Sequence, residues 1–184
     1  MRKGIKKWEL LDSEYIIRRP WLTARRDHLR LPDGTEMKEY YVLEYPDWVN
    51  VLAITKEGKF VMERQYRHGL QWIGYEICAG VCEENETPLD AAKRELFEET
   101  GYGGGKWEHC LTLSGNASTM TNLTYSFVAT DVERISTQHL EKTEDIEVEL
   151  LAAEDVKRLL LNDQIRQSLM AAPLWRYFAL NHLL

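Results

Sequence analysis

The sequence predicts an α+β sandwich preceded by antiparallel strands. Short runs of β-branched and aromatic residues, separated by turn signals, fill the first part of the chain. One strongly capped helix follows at residues 88–100, and apolar helical stretches come after residue 153. At 184 residues the chain is one domain, or one domain with a small extra layer. A composition of 44% hydrophobic and 29% charged residues is that of a globular protein. A chain this long buries about 70% of its unfolded surface, so neither disulfides nor a structural metal is needed for folding.

The elements read in order as follows. Residues 21–30 form a strand that runs into the turn Leu31-Pro32-Asp33-Gly34 and then into a strand at Tyr40–Tyr45. Trp48–Ile54 and Lys59–Tyr66 flank Thr55-Lys56-Glu57-Gly58 as a hairpin, and Tyr75–Cys78 is a further short strand. The helix at 88–100 has Thr87 as N-cap, Pro88 at its first position, Asp90 in its first turn and Gly101 as its stop. Strands follow near 107–113, 123–129 and 146–151. Helices cover Ala153–Leu161 and Ile165–His182, the second interrupted or restarted near Pro173.

The net charge of −7, with no basic cluster beyond Arg25-Arg26, argues against nucleic-acid binding. It also means that a polyanionic substrate meets repulsion unless a cation intervenes. No apolar run approaches the ~18 residues of a membrane span. The basic start MRKGIKKWELLDSE lacks the apolar stretch and cleavage site of a secretory signal, so a cytoplasmic protein is expected. Cys78, Cys82 and Cys110 show no paired metal-ligand spacing and read as buried free thiols rather than zinc ligands.

On the 88–100 helix, Leu89, Ala92, Leu96 and Thr100 share a core-facing side, while Glu95, Glu98 and Glu99 crowd an adjacent one. A solvated acidic face is the plain reading. Three carboxylates on one rigid turn also suit a hard divalent cation, and magnesium so held usually meets phosphate.

The segment Gly80–Tyr102 resembles the Nudix box, G-x5-E-x7-R-E-U-x-E-E-x-G-U with U apolar or aromatic. Gly80, Glu86, Arg94, Glu95, Leu96, Glu98, Glu99, Gly101 and Tyr102 fill every specified position. The resemblance implies an α/β/α sandwich with a mixed sheet and an N-terminal strand region over 1–45 ahead of a Nudix hydrolase domain over 46–184. It implies hydrolysis of a nucleoside diphosphate linked to another group, with magnesium or manganese held by Glu95, Glu98, Glu99 and the carbonyl of Ala79. It also implies that Arg94 pairs with Glu86.

Gln65-Tyr66-Arg67 ahead of Glu76-Ile77-Cys78-Ala79-Gly80 resembles the ADP-ribose pyrophosphatase branch. That likeness implies Arg67 on a substrate phosphate, Glu76 lining the pocket, and a homodimer exchanging its N-terminal sheet, with Trp21 and Tyr40 as base-holding aromatics. The general base of that branch sits on a loop after the box, which Lys142–Ile146 resembles. Glu144 is then the first candidate and Glu141, just ahead of that segment, the second, with Glu95 or a metal-bound hydroxide without a loop base as the alternative. Two features depart from the branch. Cys78 stands where proline is usual, and the proline expected about sixteen residues beyond the box is replaced by Ser114–Thr119. The intact box and the Gln65-Tyr66-Arg67 strand make ADP-ribose the expected substrate, the missing proline favours a GDP- or ADP-hexose as the alternative, and a non-catalytic nucleotide sensor stands behind both.

Overall fold

Strand-forming Val, Leu and Ile residues at Trp48–Thr55 place β4 at the centre of a sheet buried on both faces. Val49, Val51 and Ala53 enter one apolar cluster, while Leu52 and Ile54 enter a second on the opposite face. The computed structural model describes residues 4–184. Two compact units are present. One reaches Pro46 and takes in Asn116–Asn122, and the other comprises Asp47–Gly115 and Leu123–Leu184.

The first unit is an antiparallel sheet of β1 (Glu9–Arg19), β2 (Leu22–Arg30) and β3 (Glu36–Glu44), in that order. β1 is absent from the sequence reading because its side chains are almost all exposed and show no one-sided apolar alternation. The polar segment after Gly115 joins this unit. The Leu43 N–H donates to the Thr119 carbonyl at 2.6 Å, the Thr121 N–H donates to the Leu43 carbonyl at 3.1 Å, and the Tyr40 hydroxyl donates to the Ser118 carbonyl.

In the second unit, β5 (Phe60–Arg67) pairs with β6 (Trp72–Glu76), and β4 pairs with β7 (Cys78–Val81). The expected single strand at 75–78 is thus two, divided at Ile77, so that the chain leaves one partner strand for another. α1 (Pro88–Glu95) continues as a π-helical turn, Leu96–Thr100. Next come β8 (Tyr102–Gly103), β9 (Lys106–Leu113), β10 (Thr124–Arg134), β11 (Ile146–Leu151), α2 (Ala153–Leu161) and α3 (Ser168–Leu180). The main strand order is β11-β5-β4-β10-β8, with β4 and β10 parallel and the other pairings antiparallel. α1 packs on one face and α2 with α3 on the other, making an α/β/α sandwich with a mixed sheet.

Thr87 caps α1 as expected, its hydroxyl accepting the Asp90 N–H at 3.2 Å, and Gly101 ends the helix at φ 74°. The restart expected at Pro173 does not occur, for α3 runs through it. A proline removes the N–H that would bond to the carbonyl four residues earlier. That carbonyl, on Leu169, instead accepts Asn50 Nδ2 at 2.8 Å. Of the three cysteines, all free thiols, only Cys78 is fully buried. Among the described residues no helix is long and apolar enough to cross a membrane.

Candidate active site

The last helical turns lie against β7. The Ala79 N–H donates to Glu99 Oε2 at 3.1 Å and the Val81 N–H to Glu95 Oε1 at 3.2 Å, so two carboxylates clasp one strand. Between them a Cβ at Gly80 would overlap the Glu95 carboxylate, and glycine alone permits this approach. The π turn carries Glu98 and Glu99, a local helical form found often at functional sites.

Arg94 ties the cluster together. Its Nε and Nη2 donate to the two oxygens of Glu86 at 3.0 and 2.9 Å, and Nη2 also donates to the Val81 carbonyl at 2.9 Å. Nη1 reaches Glu95 at 2.9 Å and Glu98 at 3.1 Å. The expected Arg94–Glu86 pair is present, and the contacts to Glu95 and Glu98 are additional.

Burial pushes the Glu95 carboxyl up against the opposing pull of Arg94. It pushes Glu99 up to about 7, with the Cys78 thiol hydrogen bond opposing and Glu95 adding to the rise. The hydrogen bond from Arg94 holds Glu86 below the usual carboxylate range. The donor set of Glu95, Glu98, Glu99 and the Ala79 carbonyl is all oxygen and carries three acidic groups on one turn. Such a set fits a hard divalent cation, whose charge would offset the burial that raises Glu95 and Glu99.

Arg67 stands opposite Trp72, and Glu76 opposite Glu63, in the β5–β6 pairing, so the Arg67 side chain reaches along the ladder to Glu76. Arg67 Nε donates to Glu76 Oε1 at 2.9 Å and Nη2 to Oε2 at 2.5 Å. Glu76 is buried, and the Arg67 guanidinium is partly exposed. Glu76 therefore orients Arg67, and Arg67 lines a cleft of about 210 Å³ together with Ala79, Gly80, Asn50, Thr124 and Gln167. The cleft thus opens beside the box. Asn50 and Thr124, both among its lining residues, each hold a buried side-chain oxygen with no hydrogen-bond partner among the described residues. Sequence reasoning passed over both, although a polar residue inside the apolar run WVNVLAI was a usable signal.

Glu144 lies close enough to Glu99 to raise its carboxyl. Its own loop is a tight turn in which Glu144 Oε2 accepts the Glu141 N–H at 2.8 Å and the Glu144 N–H donates to the Glu141 carbonyl at 3.1 Å. Gln138 anchors the loop, its Nε2 donating to the Glu99 carbonyl at 2.7 Å and the Ile146 carbonyl at 3.1 Å. No local pattern marks Gln138, because both its partners are distant in sequence.

Trp21 and Tyr40 are not brought together within the N-terminal sheet. Tyr40 sits opposite Asp27, and Trp21 precedes β2, which puts them roughly 20 Å apart along the strands. Trp21 is 83% exposed, whereas Tyr40 is engaged by Ser118 and meets Trp8 edge-on at 6.1 Å.

Residues 44–172 match the NUDIX domain model, and residues 8–43 match that of the nucleoside diphosphate sugar hydrolase N-terminal domain. An ADP-ribose pyrophosphatase of Bacillus subtilis (strain 168) is 31% identical over 140 residues, spanning 76% of this chain and 75% of that protein. The methanol dehydrogenase activator of Bacillus methanolicus is 37% identical over 103 residues, spanning 56% and 55%. In three dimensions the crystal structure of an ADP compounds hydrolase matches with a TM-score of 0.86 at 20% identity, covering 98% of this chain and 97% of that one, which attests the fold. With the box complete, Glu95 and Glu99 bonded to β7, and the family model matched over residues 44–172, this chain belongs to the Nudix hydrolase family.

Proposed function

We propose that the chain hydrolyses the diphosphate bridge of ADP-ribose, releasing AMP and ribose 5-phosphate, with magnesium or manganese as cofactor. The observation that carries this reading is the clasp of Glu95 and Glu99 on the backbone of β7 beside the Arg67-lined cleft. Those carboxylates and the Ala79 carbonyl would hold the cation, which supplies charge neutralisation for the diphosphate and acidifies water at neutral pH.

The chain's own residues do the rest. Arg67, with Nε and Nη2 committed to Glu76, offers Nη1 to a phosphate oxygen. Glu144, on the loop pinned by Gln138, accepts the proton of the attacking water, with Glu141 second in line. Arg94 and Glu86 fix the box loop and do not touch substrate. The exposed face of Trp21 suits base stacking. We further propose a homodimer acting in the cytoplasm, where its three free thiols stay reduced.

Incubation with ADP-ribose and magnesium should release AMP, seen by chromatography, and Glu144→Gln should lower kcat about 10²-fold or more. No AMP at micromolar enzyme overturns the substrate. A second reading, hydrolysis of another nucleoside diphosphate sugar, is favoured by the match of residues 8–43 to a nucleoside diphosphate sugar hydrolase N-terminal domain. The same assay with GDP- and ADP-hexoses separates the two by their kcat/KM ratio.

A further inference from the structure

β5 alternates between the two sheet faces, and at Glu63 the alternation delivers a carboxylate into the apolar layer beneath the Nudix helix. Phe60 and Met62 enter the cluster under α2 and α3, whereas Val61 faces α1. Glu63 follows Val61 to that side. It is 1% exposed, and neither of its carboxylate oxygens has a hydrogen-bond partner. A buried polar group without a partner destabilises a fold and calls for a reason.

Its surroundings supply one. A Glu63 oxygen, the Cys78 sulfur and a Glu99 oxygen all lie within 4.8 Å of one another, and all three residues are buried. No N–H donor among the described residues reaches either Glu63 oxygen. A small cation among the three groups would satisfy them. Around a tetrahedral ion, with bonds of about 2.0–2.3 Å, ligand atoms sit about 3.5 Å apart, so an inward movement of about 1 Å closes the set.

We propose that Glu63, Cys78 and Glu99 form an inner cation site behind the Nudix box, for a borderline divalent ion such as zinc or cobalt. One thiolate with two carboxylates suits such ions, whereas magnesium takes oxygen alone. The site differs from the outer all-oxygen set but shares Glu99 with it, so an ion held within draws Glu99 away from the outer face. On binding, the Cys78 S–H bond and the O–H bond of whichever carboxyl is protonated break, sulfur–metal and oxygen–metal bonds form, and the released protons pass to the buffer. The inference rests on residues behind the box, and its test reads binding, so it stands or falls separately from the substrate.

Cobalt(II) titrated into the full-length, metal-free protein should produce a near-ultraviolet thiolate-to-cobalt charge-transfer band that saturates at one ion per chain. Zinc should abolish it by displacement. Cys78→Ala should eliminate the band, Cys82→Ala and Cys110→Ala should leave it, and Glu63→Gln should weaken cobalt affinity at least tenfold. Should Glu63→Gln fail to fold by circular dichroism, Glu63→Met, which fills the same space without charge, replaces it with the same expected loss. Weak d–d absorption without charge transfer, a band that survives Cys78→Ala, or an affinity indifferent to Glu63 each overturns the site.

Discussion

Arg94 shows how one residue sets the geometry of several. Its planar fork meets Glu86 along one edge and reaches Glu95 and Glu98 along the other, which a lysine ammonium cannot reproduce. Arg94 holds Glu86 below its unfolded value. The stabilisation is therefore whole above the unfolded carboxyl pKa of about 4.3 and disappears as pH falls through the lower folded value. Glu86→Gln should cost about 1–3 kcal/mol in urea unfolding at pH 7. The gap from the unmodified chain should stay constant down to about pH 5 and shrink below about pH 4. A gap that widens in acid contradicts the pairing. Gly80 invites a different test. The group that a new Cβ would strike is the flexible end of Glu95, so Gly80→Ala should keep the fold and lower the melting temperature modestly, as Glu95 swings aside and gives up its bonds to the Val81 N–H and Arg94. Manganese binding, followed by electron paramagnetic resonance, should then weaken about tenfold or more, which is about 1.4 kcal/mol. These pairings were legible because the box fixes its residue types at fixed spacing. Glu63 was not legible, since nothing near it in sequence shows that its side chain meets Cys78 and Glu99.

Elements were legible where caps and turns are local. Thr87, Pro88 and Gly101 bound the box helix as read from sequence, and Thr55–Gly58 closes the β4–β5 hairpin, with the Gly58 N–H donating to the Thr55 carbonyl at 2.9 Å. The π turn escaped because the same apolar and acidic residues serve an α-helical continuation equally well. Pro173 misled because its local cost is offset from a distant strand. Asn50 supplies the donor for the Leu169 carbonyl that proline leaves free. Asn50→Leu should therefore destabilise the fold by about 1–3 kcal/mol, the penalty of an unpaired buried carbonyl. Adding Pro173→Ala restores an N–H to the helix and should recover most of that loss. A double-mutant cycle in urea measures the coupling, and simple additivity of the two substitutions would rule the compensation out.

At the scale of the whole molecule, the buried sheet accounts for the second unit, while the N-terminal sheet leaves apolar surface uncovered. Leu10, Tyr15, Ile16, Ile17, Trp21 and Tyr41 are all exposed there, and β1 is an edge strand with scarcely any buried side chain. Ion pairs between strands, Arg30–Glu9 at 3.1 Å and Arg30–Glu36 at 3.1 Å, help to fix the register of this sheet but are exposed and bury little. A three-stranded sheet gains stability chiefly by covering one face, and an exposed apolar edge strand invites pairing with another chain. A second copy of the chain is the partner that the proposed homodimer supplies. Sequence reading reached the dimer through resemblance, whereas this exposed surface emerges only once β1 is folded. Sedimentation at micromolar concentration should give twice the chain mass. The double substitution Ile16→Glu, Ile17→Glu should shift it to the monomer while the far-ultraviolet circular dichroism stays unchanged, because neither side chain is part of a core. A chain that sediments as a monomer before substitution removes the dimer, and with it the reason for the uncovered face.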